Sequence, residues 1–330
     1  MKVASLFCGC GGMDLGLTKA GHEIVWANDI DQDSINTYKS YFVPQFNIDP
    51  KHIVCENIYN VDSNDIPECD VIVGGFPCQG FSIANTFRKN QRESELQNNN
   101  LYKQLLRVIK DKKPKYFIGE NVKGILSLGG YESKYDKYKK EGRVVKIILN
   151  DMRNIGYRVK WKILNAAHFG VPQIRERVIF FGIRNDLEVV REFKYPEPTH
   201  SIENDLFLET TPSVWSAIKD LENIQLGSKF VHNHEASAHK VKINGYIGNR
   251  ATIKNKPSPT IVGRGGGTGG PVIIPHPNNL RRLSVRELAR IQSFPDDFIF
   301  YGSKSSAYRQ IGNAVPWKLA YALGLELNKL

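Results

Sequence analysis

Cys78 follows the apolar run Val71-Ile72-Val73 through Gly74-Gly75-Phe76-Pro77 and is trailed by Gln79-Gly80-Phe81-Ser82. A thiol just past a buried strand, its direction fixed by Pro77, is placed for chemistry rather than packing. To attack at neutral pH it needs a lowered pKa, which nearby cations supply. Glu120 follows a second apolar run, Tyr116-Phe117-Ile118. Parallel strands would bring Cys78 and Glu120 to one sheet edge, a nucleophile beside a proton donor. Arg175 and Arg177 alternate within Gln173-Ile174-Arg175-Glu176-Arg177-Val178-Ile179-Phe180, which predicts one shared strand face. Two guanidinium groups there could bind phosphate, or hold Glu120 and a carbonyl oxygen. Singly, each residue has a plainer explanation: an inert thiol, a solvated acid, an ion-pair ladder with Glu176. The thiol and acid on equivalent strand ends tilt the balance toward catalysis.

A second constellation lies at the start of the chain. Phe7-Cys8-Gly9-Cys10-Gly11-Gly12-Met13-Asp14-Leu15-Gly16 is a glycine-rich turn between the first strand and first helix. Such a turn lets a ligand approach backbone N–H groups. The pattern G-x-G-x-x-G is not met, because Asp14 takes its last position. An acid there would repel a pyrophosphate, so a cofactor with a cationic or zwitterionic head is expected. Asp29 ends the second strand, where a carboxylate can accept ribose hydroxyls. The alternative is a tight turn plus an exposed acid. Later, Gly263-Arg264-Gly265-Gly266-Gly267-Thr268-Gly269-Gly270 could pass close to a DNA groove, with Arg264 as a guanine or phosphate contact. A flexible linker has the same composition. His232, His234 and His239 lack carboxylate or cysteine partners at metal spacing, so they are surface or fold residues and no metal is expected.

These residues need elements to carry them. Strand and helix signals alternate in the first half, predicting a parallel sheet with covering helices. Strands are expected at Val3–Phe7, Ile24–Ala27, Val71–Val73, Tyr116–Gly119, Val159–Leu164 and Val178–Gly182. Helices are expected at Asp14–Ala20, Asp33–Phe42, Leu101–Ile109 and Val145–Ile155. From about Arg184 to Arg282 the periodicity weakens, yet aromatic and β-branched residues persist, so an irregular second domain is expected rather than disorder. Ser284 and Glu287 form a capping box for a later helix. A last helix is expected at Trp317–Leu327.

Composition bounds the partners. The 330 residues carry 45 Lys+Arg against 34 Asp+Glu, a net charge of +11, which favours a polyanion, nucleic acid first. The five cysteines form no Cys-x-x-Cys pair, and a reduced, cytoplasmic setting is the simplest reading. Cys55 and Cys69 are expected to be core residues. No apolar run is long enough for a membrane span, and no signal peptide is apparent.

Together these motifs resemble the DNA (cytosine-5) methyltransferase family of the bacterial restriction-modification type, over nearly the whole chain and in the family's order. Ser5-Leu6-Phe7-Cys8-Gly9-Cys10-Gly11-Gly12 is similar to its first S-adenosylmethionine motif. Asn28-Asp29-Ile30-Asp31 is similar to its ribose motif, where the family usually has Glu in place of Asp29. Glu56-Asn57-Ile58 falls where the family often has Gly-Asp-Ile, so Asn57 replaces the acid that accepts the adenine amino group; its amide oxygen can still accept that bond. Gly75-Phe76-Pro77-Cys78-Gln79 matches the nucleophile motif, Glu120-Asn121-Val122 the acid motif and Gln173–Arg177 the two-arginine motif. Arg281–Glu287 with Phe294-Pro295-Asp296 resembles a late structural motif, and Gly312-Asn313-Ala314-Val315-Pro316 the final one. Thr260-Ile261 resembles the family's Thr-Leu pair.

The resemblance implies an α/β fold: a Rossmann-like, mostly parallel sheet in a discontinuous catalytic domain (1–184 and 306–330) with a smaller irregular target-recognition domain (185–305). It implies that the last helix returns beside the first strand. It implies catalysis by Cys78, Glu120 and Arg175, with the thiolate adding to C6 of a flipped cytosine, Glu120 on N3 and the amino group, and Arg175 on the base carbonyl. S-adenosyl-L-methionine would be held by Phe7, Cys8, Gly9, Gly11, Gly12, Leu15, Asp29, Ile30, Asn57, Ile58, Pro77, Asn313 and Ala314. Double-stranded DNA would be held by Gln79, Ser82, Arg88, Arg177, Thr260 and Arg264, with 80–100 as a closing loop. A cytoplasmic monomer is expected, acting on the nucleoid and paired with a restriction endonuclease. Three rivals stay open: a transfer-RNA cytosine methyltransferase, a catalytically silent DNA-binding module and a nicotinamide-dependent dehydrogenase.

Overall fold

The computed structural model describes residues 1–77, 101–188, 191–244, 249–263 and 274–330. Cys78, Gln79, Ser82, Arg88 and Arg264 therefore lie outside the described residues, as do the closing-loop segment and most of the 263–270 glycine run.

Seven apolar runs pair into one sheet. They are β1 (Lys2–Leu6), β2 (Glu23–Asp29), β3 (Ile53–Cys55), β4 (Val71–Gly74), β5 (Tyr116–Val122), β6 (Tyr157–Asn165) and β7 (Glu176–Arg184). Their spatial order is β3-β2-β1-β4-β5-β7-β6, and all neighbours are parallel except β7, which runs against both β5 and β6. The fold is thus α/β with a mostly parallel, Rossmann-like sheet. Successive side chains on a strand face opposite ways, and the core divides accordingly. Val3, Val71, Val73 and Ile118 pack under one layer of helices, Ala4, Leu6, Ile72 and Phe117 under the other. The first layer holds α1 (Gly12–Lys19) and α2 (Gln32–Phe46); the second holds α3 (Leu101–Lys112) and, beyond a short α4 (Lys134–Lys139), α5 (Arg143–Asn154).

Register levels the strand ends. Leu6 pairs with Gly74, and Gly74 with Gly119. The turn after β1, the chain leading to Cys78 and the end of β5 consequently share one edge of the sheet. The order of strands reverses between β1 and β4, where open α/β sheets leave a ligand crevice.

The chain between β7 and the C-terminal helices is loop-rich. It contains the two-residue strands β8 (His200–Ser201) and β9 (Glu209–Thr210), then α6 (Val214–Ile218) and α7 (Val285–Ile291). The capping box of α7 forms, with Ser284 and Glu287 each bonding the other's backbone N–H. Past α7, Phe298 packs on Tyr41 of α2 at a ring separation of 4.6 Å. Then α8 (Lys304–Asn313) and α9 (Trp317–Leu327) close the chain. Helix α9 lies against α1, and a Cβ at Gly16 would collide with the Trp317 carbonyl. Glycine there allows the two backbones to meet, and the C-terminal helix returns beside the first helix rather than the first strand.

Six of these elements were not expected from the sequence: β3, α4, β8, β9, α6 and α8. Helix α2 also runs to Phe46, through Pro44, past its expected end at Phe42. Cys55 and Cys69 are only half-buried.

Candidate active site

Glu120 sits near the C-terminal end of β5 with its side chain almost wholly buried. Antiparallel β7 places Arg177 opposite Val122, diagonal to Glu120 on the same face. Arg177 Nε donates to Glu120 Oε1 at 2.7 Å, and Nη1 donates to the Glu176 carbonyl at 2.8 Å. Two opposite charges removed from water hold one another in a fixed geometry. The approach to Cys78 runs alongside. A Cβ on Gly75 would stand 3.0 Å from Glu120 Oε2, so the missing side chain lets the loop pass the carboxylate. Asn121 then ties the loop down, its Nδ2 donating to the Phe76 carbonyl at 2.8 Å while its Oδ1 accepts from Val122 N–H. Asn121 belongs to the Glu120-Asn121-Val122 motif, but no role of its own was expected from sequence.

Arg175 is placed differently from Arg177. It precedes β7 and is 1% exposed. Its Nη1 donates to the Ile261 carbonyl at 2.6 Å, and its Nη2 to those of Gly312 and Ala314 at 2.8 and 2.9 Å. Burial, and secondarily the charge of Arg177, push its pKa down; an arginine has enough reserve to stay protonated. Beside it, Gln173 accepts from Ile261 N–H and donates to Gln292, whose amide donates on to the Ile311 carbonyl. Thr260 Oγ1 donates to the Ile174 carbonyl at 2.6 Å. The two-arginine segment therefore does two jobs. Arg177 serves the acid, while Arg175, Gln173 and Thr260 lock the 258–262 segment and the end of α8 together.

The turn after β1 has Phe7 and Gly9 at φ 54° and Gly11 at φ 92°. Nothing lies within 4 Å of a Cβ built on Gly9, so the backbone is open there. Gly11 and Gly12 are closed: added side chains would meet Phe42 and the Val315 carbonyl, and Leu15 is wholly buried. Asp29 takes Gly9 N–H on Oδ2 at 2.8 Å and Asp31 N–H on Oδ1 at 2.9 Å. Burial raises its pKa, and those amides oppose the rise. Next to it Ile30 is 67% exposed, an apolar surface beside a carboxylate. Asn28 bridges to the Val54 and Glu56 carbonyls, bringing the Asn57 segment alongside, with Ile58 buried behind it. Asn57 Oδ1 accepts from Tyr59 N–H. Cys8 and Pro77 are half-buried. Asn313 is exposed at the end of α8, its amide occupying the space above Gly263, and Ala314 packs against Gly12.

Asp14 corrects an expectation. Its side chain faces the core, fully buried, accepting from Ser5 Oγ and Tyr38 OH at 2.8 Å each. Desolvation raises its pKa to about 6 despite those two bonds. It does not face the turn, so the argument from Asp14 for a cationic head falls. His234 is a fold residue, buried and bonded to Ser284 Oγ and the Ile224 carbonyl.

Comparison with known proteins agrees in extent and kind. The family model for C-5 cytosine-specific DNA methylase matches residues 1–329. Type II methyltransferase M.NgoFVII of Neisseria gonorrhoeae is 39% identical, over 96% of this chain and 83% of its own length. Type II methyltransferase M.FnuDI of Fusobacterium nucleatum is 34% identical, over 100% of this chain and 94% of its own. Among solved structures, a DNA modification methyltransferase encoded within an E. coli prophage matches at TM-score 0.69 and 24% identity, covering 100% of this chain and 99% of its own. A DNMT2 of Spodoptera frugiperda matches at TM-score 0.66 and 18% identity, covering 99% of both chains. At those identities the last two speak for the fold alone.

Proposed function

The chain belongs to the C-5 cytosine-specific DNA methylase family, and from that premise we propose that it methylates a flipped cytosine at C5 through a covalent Cys78 adduct. The observation that carries the proposal is the buried Glu120–Arg177 pair held against Gly75-Phe76 at the sheet edge. Cytosine C5 is a poor nucleophile. Addition of the Cys78 thiolate to C6 turns C5 into an electron-rich enamine carbon, and later loss of the C5 proton and expulsion of the thiolate restore the ring. Glu120, as a protonated carboxyl, donates to N3 and accepts from the exocyclic amino group, so that the charge developing on the ring is taken up by that proton. The carbonyl oxygen goes to Arg177 in this proposal rather than to Arg175, whose terminal nitrogens are already on backbone carbonyls. Asn121 is a positioning residue for the Cys78 loop.

S-adenosyl-L-methionine fits the crevice at the end of β1 and β2. An open glycine, a half-buried carboxylate and an exposed isoleucine side by side suit a polar tail, a ribose and a flat base. Phe7, Gly9, Asp29, Ile30 and Asn57 would hold it, with Gly11, Gly12, Leu15 and Ala314 shaping the turn from behind. When bound, it supplies an electrophilic methyl group. Target choice is assigned to the loop-rich chain between 185 and 305, apart from Phe294–Phe300, which pack with the catalytic body. The substrate is double-stranded DNA, and the Type II relatives point to a partner endonuclease. No described helix is long and apolar enough to cross a membrane.

The test is methyl transfer from labelled S-adenosylmethionine into unmethylated plasmid, followed by bisulfite mapping and trapping on duplexes carrying 5-fluorocytosine at the mapped position. The expected result is 5-methylcytosine at a fixed sequence and a covalent protein–DNA complex that Cys78→Ala abolishes. Methylation without a trappable complex would overturn the adduct.

A further inference from the structure

Between β5 and α5 the chain makes an excursion that is anchored in the core by Ile125 and Leu126 and whose tip neither the core nor the candidate active site uses. It leaves the sheet at the same edge as Glu120 and closes on itself, with Gly142 N–H donating to Leu126 and Arg143 N–H to Gly130. At its tip, α4 is capped by Ser133. Its charges are sorted by pairing. The acids are engaged: Glu132, itself exposed, pairs with Arg143 and Lys146, buried Asp136 with Lys146, and Glu141 accepts from Trp161. The cations turn outward. Lys134, Lys137 and Lys140 are exposed, and no described carboxylate pairs with them. Lys139 lies over the ring of Tyr135 at 4.6 Å. Tyr138 is 83% exposed, one turn along from Lys134. An ordinary solvated helix interleaves its charges and hides its aromatic rings. Here the negative charge is consumed within the fold, and what remains is lysine and bare tyrosine.

We propose that α4 and its flanks are a second DNA contact, binding phosphates of the duplex beside the target site while Tyr138 packs on a sugar or an end base. The inference rests on the reading of the chain as a DNA methyltransferase. Its geometry follows from the topology: duplex presented to Glu120 runs over the sheet edge from which this excursion rises. Lysines without partners release counterions when they meet phosphate, at about 0.9 of a unit of salt slope per contact. Three lysines therefore account for a slope of about 2 to 3.

The experiment uses two duplexes centred on the cytosine mapped by bisulfite sequencing, one with about 5 and one with about 20 flanking base pairs. Affinity of the full chain is measured between 50 and 200 mM KCl. The triple variant Lys134→Gln, Lys137→Gln, Lys140→Gln should flatten the log–log salt dependence on the long duplex by about 2 to 3 and leave the short duplex unchanged. The matching triple Arg variant should restore the wild-type slope, and Tyr138→Ala should weaken the long duplex alone. Equal slopes for the wild type and the Gln variant on the long duplex would overturn the proposal, with methylation intact. A loss of equal size on both duplexes would overturn it too, since the contact would not lie in the flank. Wild-type chain that leaves plasmid unmethylated would instead bring down the methyltransferase reading, and this inference with it.

Discussion

The sheet half of the molecule and its loop-rich middle are held together by different means. In the sheet, ladders satisfy the backbone, so Val3, Val73, Phe117 and Ile118 need only pack. The middle has almost no ladder, and side chains take over that duty. Arg286 is 0% exposed and donates to the carbonyls of His232, Pro295 and Phe298. Arg282 reaches the Lys240 carbonyl and Asn249 Oδ1. Arg175 does the same where the two regions meet. Part of the positive charge that reads as a nucleic-acid signal is therefore internal scaffolding. Loops can be rigid without secondary structure when buried guanidinium groups stand in for missing strands.

The most severe test of that contrast is Arg286→Met. It keeps the bulk and strands three buried carbonyls, and should cost about 3–5 kcal/mol in a denaturant melt. A loss below about 1 kcal/mol would mean that packing holds the middle as it holds the sheet. Next comes the division between the two neighbouring arginines. Arg177→Lys keeps the charge but loses the fork, and should lower kcat about 100-fold or more with stability nearly unchanged. Arg175→Lys should do the reverse, lowering the melting temperature while kcat falls far less. Equal kinetic losses would return the carbonyl-holding role to Arg175.

How far the sequence disclosed this architecture depends on the range of the interactions involved. Strands announced themselves as apolar runs, and Ser284/Glu287 announced a helix start, because both signals are local. Helix α9 was placed at Trp317–Leu327, as observed. Strand β3 escaped because three residues, Ile53–Cys55, carry no period. Helix α8 escaped because its apolar face is thin; Gln310 and Ser306 are buried by hydrogen bonds. The site was half legible. Two strand ends and a parallel sheet suffice to bring Glu120 beside Gly75 and its neighbour Asn121 onto Phe76. The arginines were harder, because strict alternation begins only at Glu176, where β7 starts. Arg175 lies outside the strand, and its acceptors are 86, 137 and 139 residues away. No pattern near Arg175 could have revealed them. Asp14 misled for the same reason, since Tyr38, its second partner, comes from another helix.

Asp14 is a buried carboxyl of the sheet half with no cation paired to it, and pH exposes it. Its pKa is about 6 in the folded chain against 3.8 for a free carboxyl. The folded state therefore binds the proton more tightly than the unfolded one, so this group favours folding at low pH. Its contribution fades as pH rises from about 4 to about 6, by up to about 3 kcal/mol. Asp14→Asn should remove that slope, seen as the difference between the two melts across the range. An identical slope in both would show that Ser5 and Tyr38 hold the carboxylate charged after all. Smallest is the control on pure packing. Ile118→Val deletes one methylene in β5, where the ladder stays whole, and should cost about 0.5–1.5 kcal/mol at any pH. Because it leaves every polar group satisfied, it sets the scale of a packing loss alone. If it matched Arg286→Met, burial of carbon would account for both regions, and the guanidinium scaffold would be incidental.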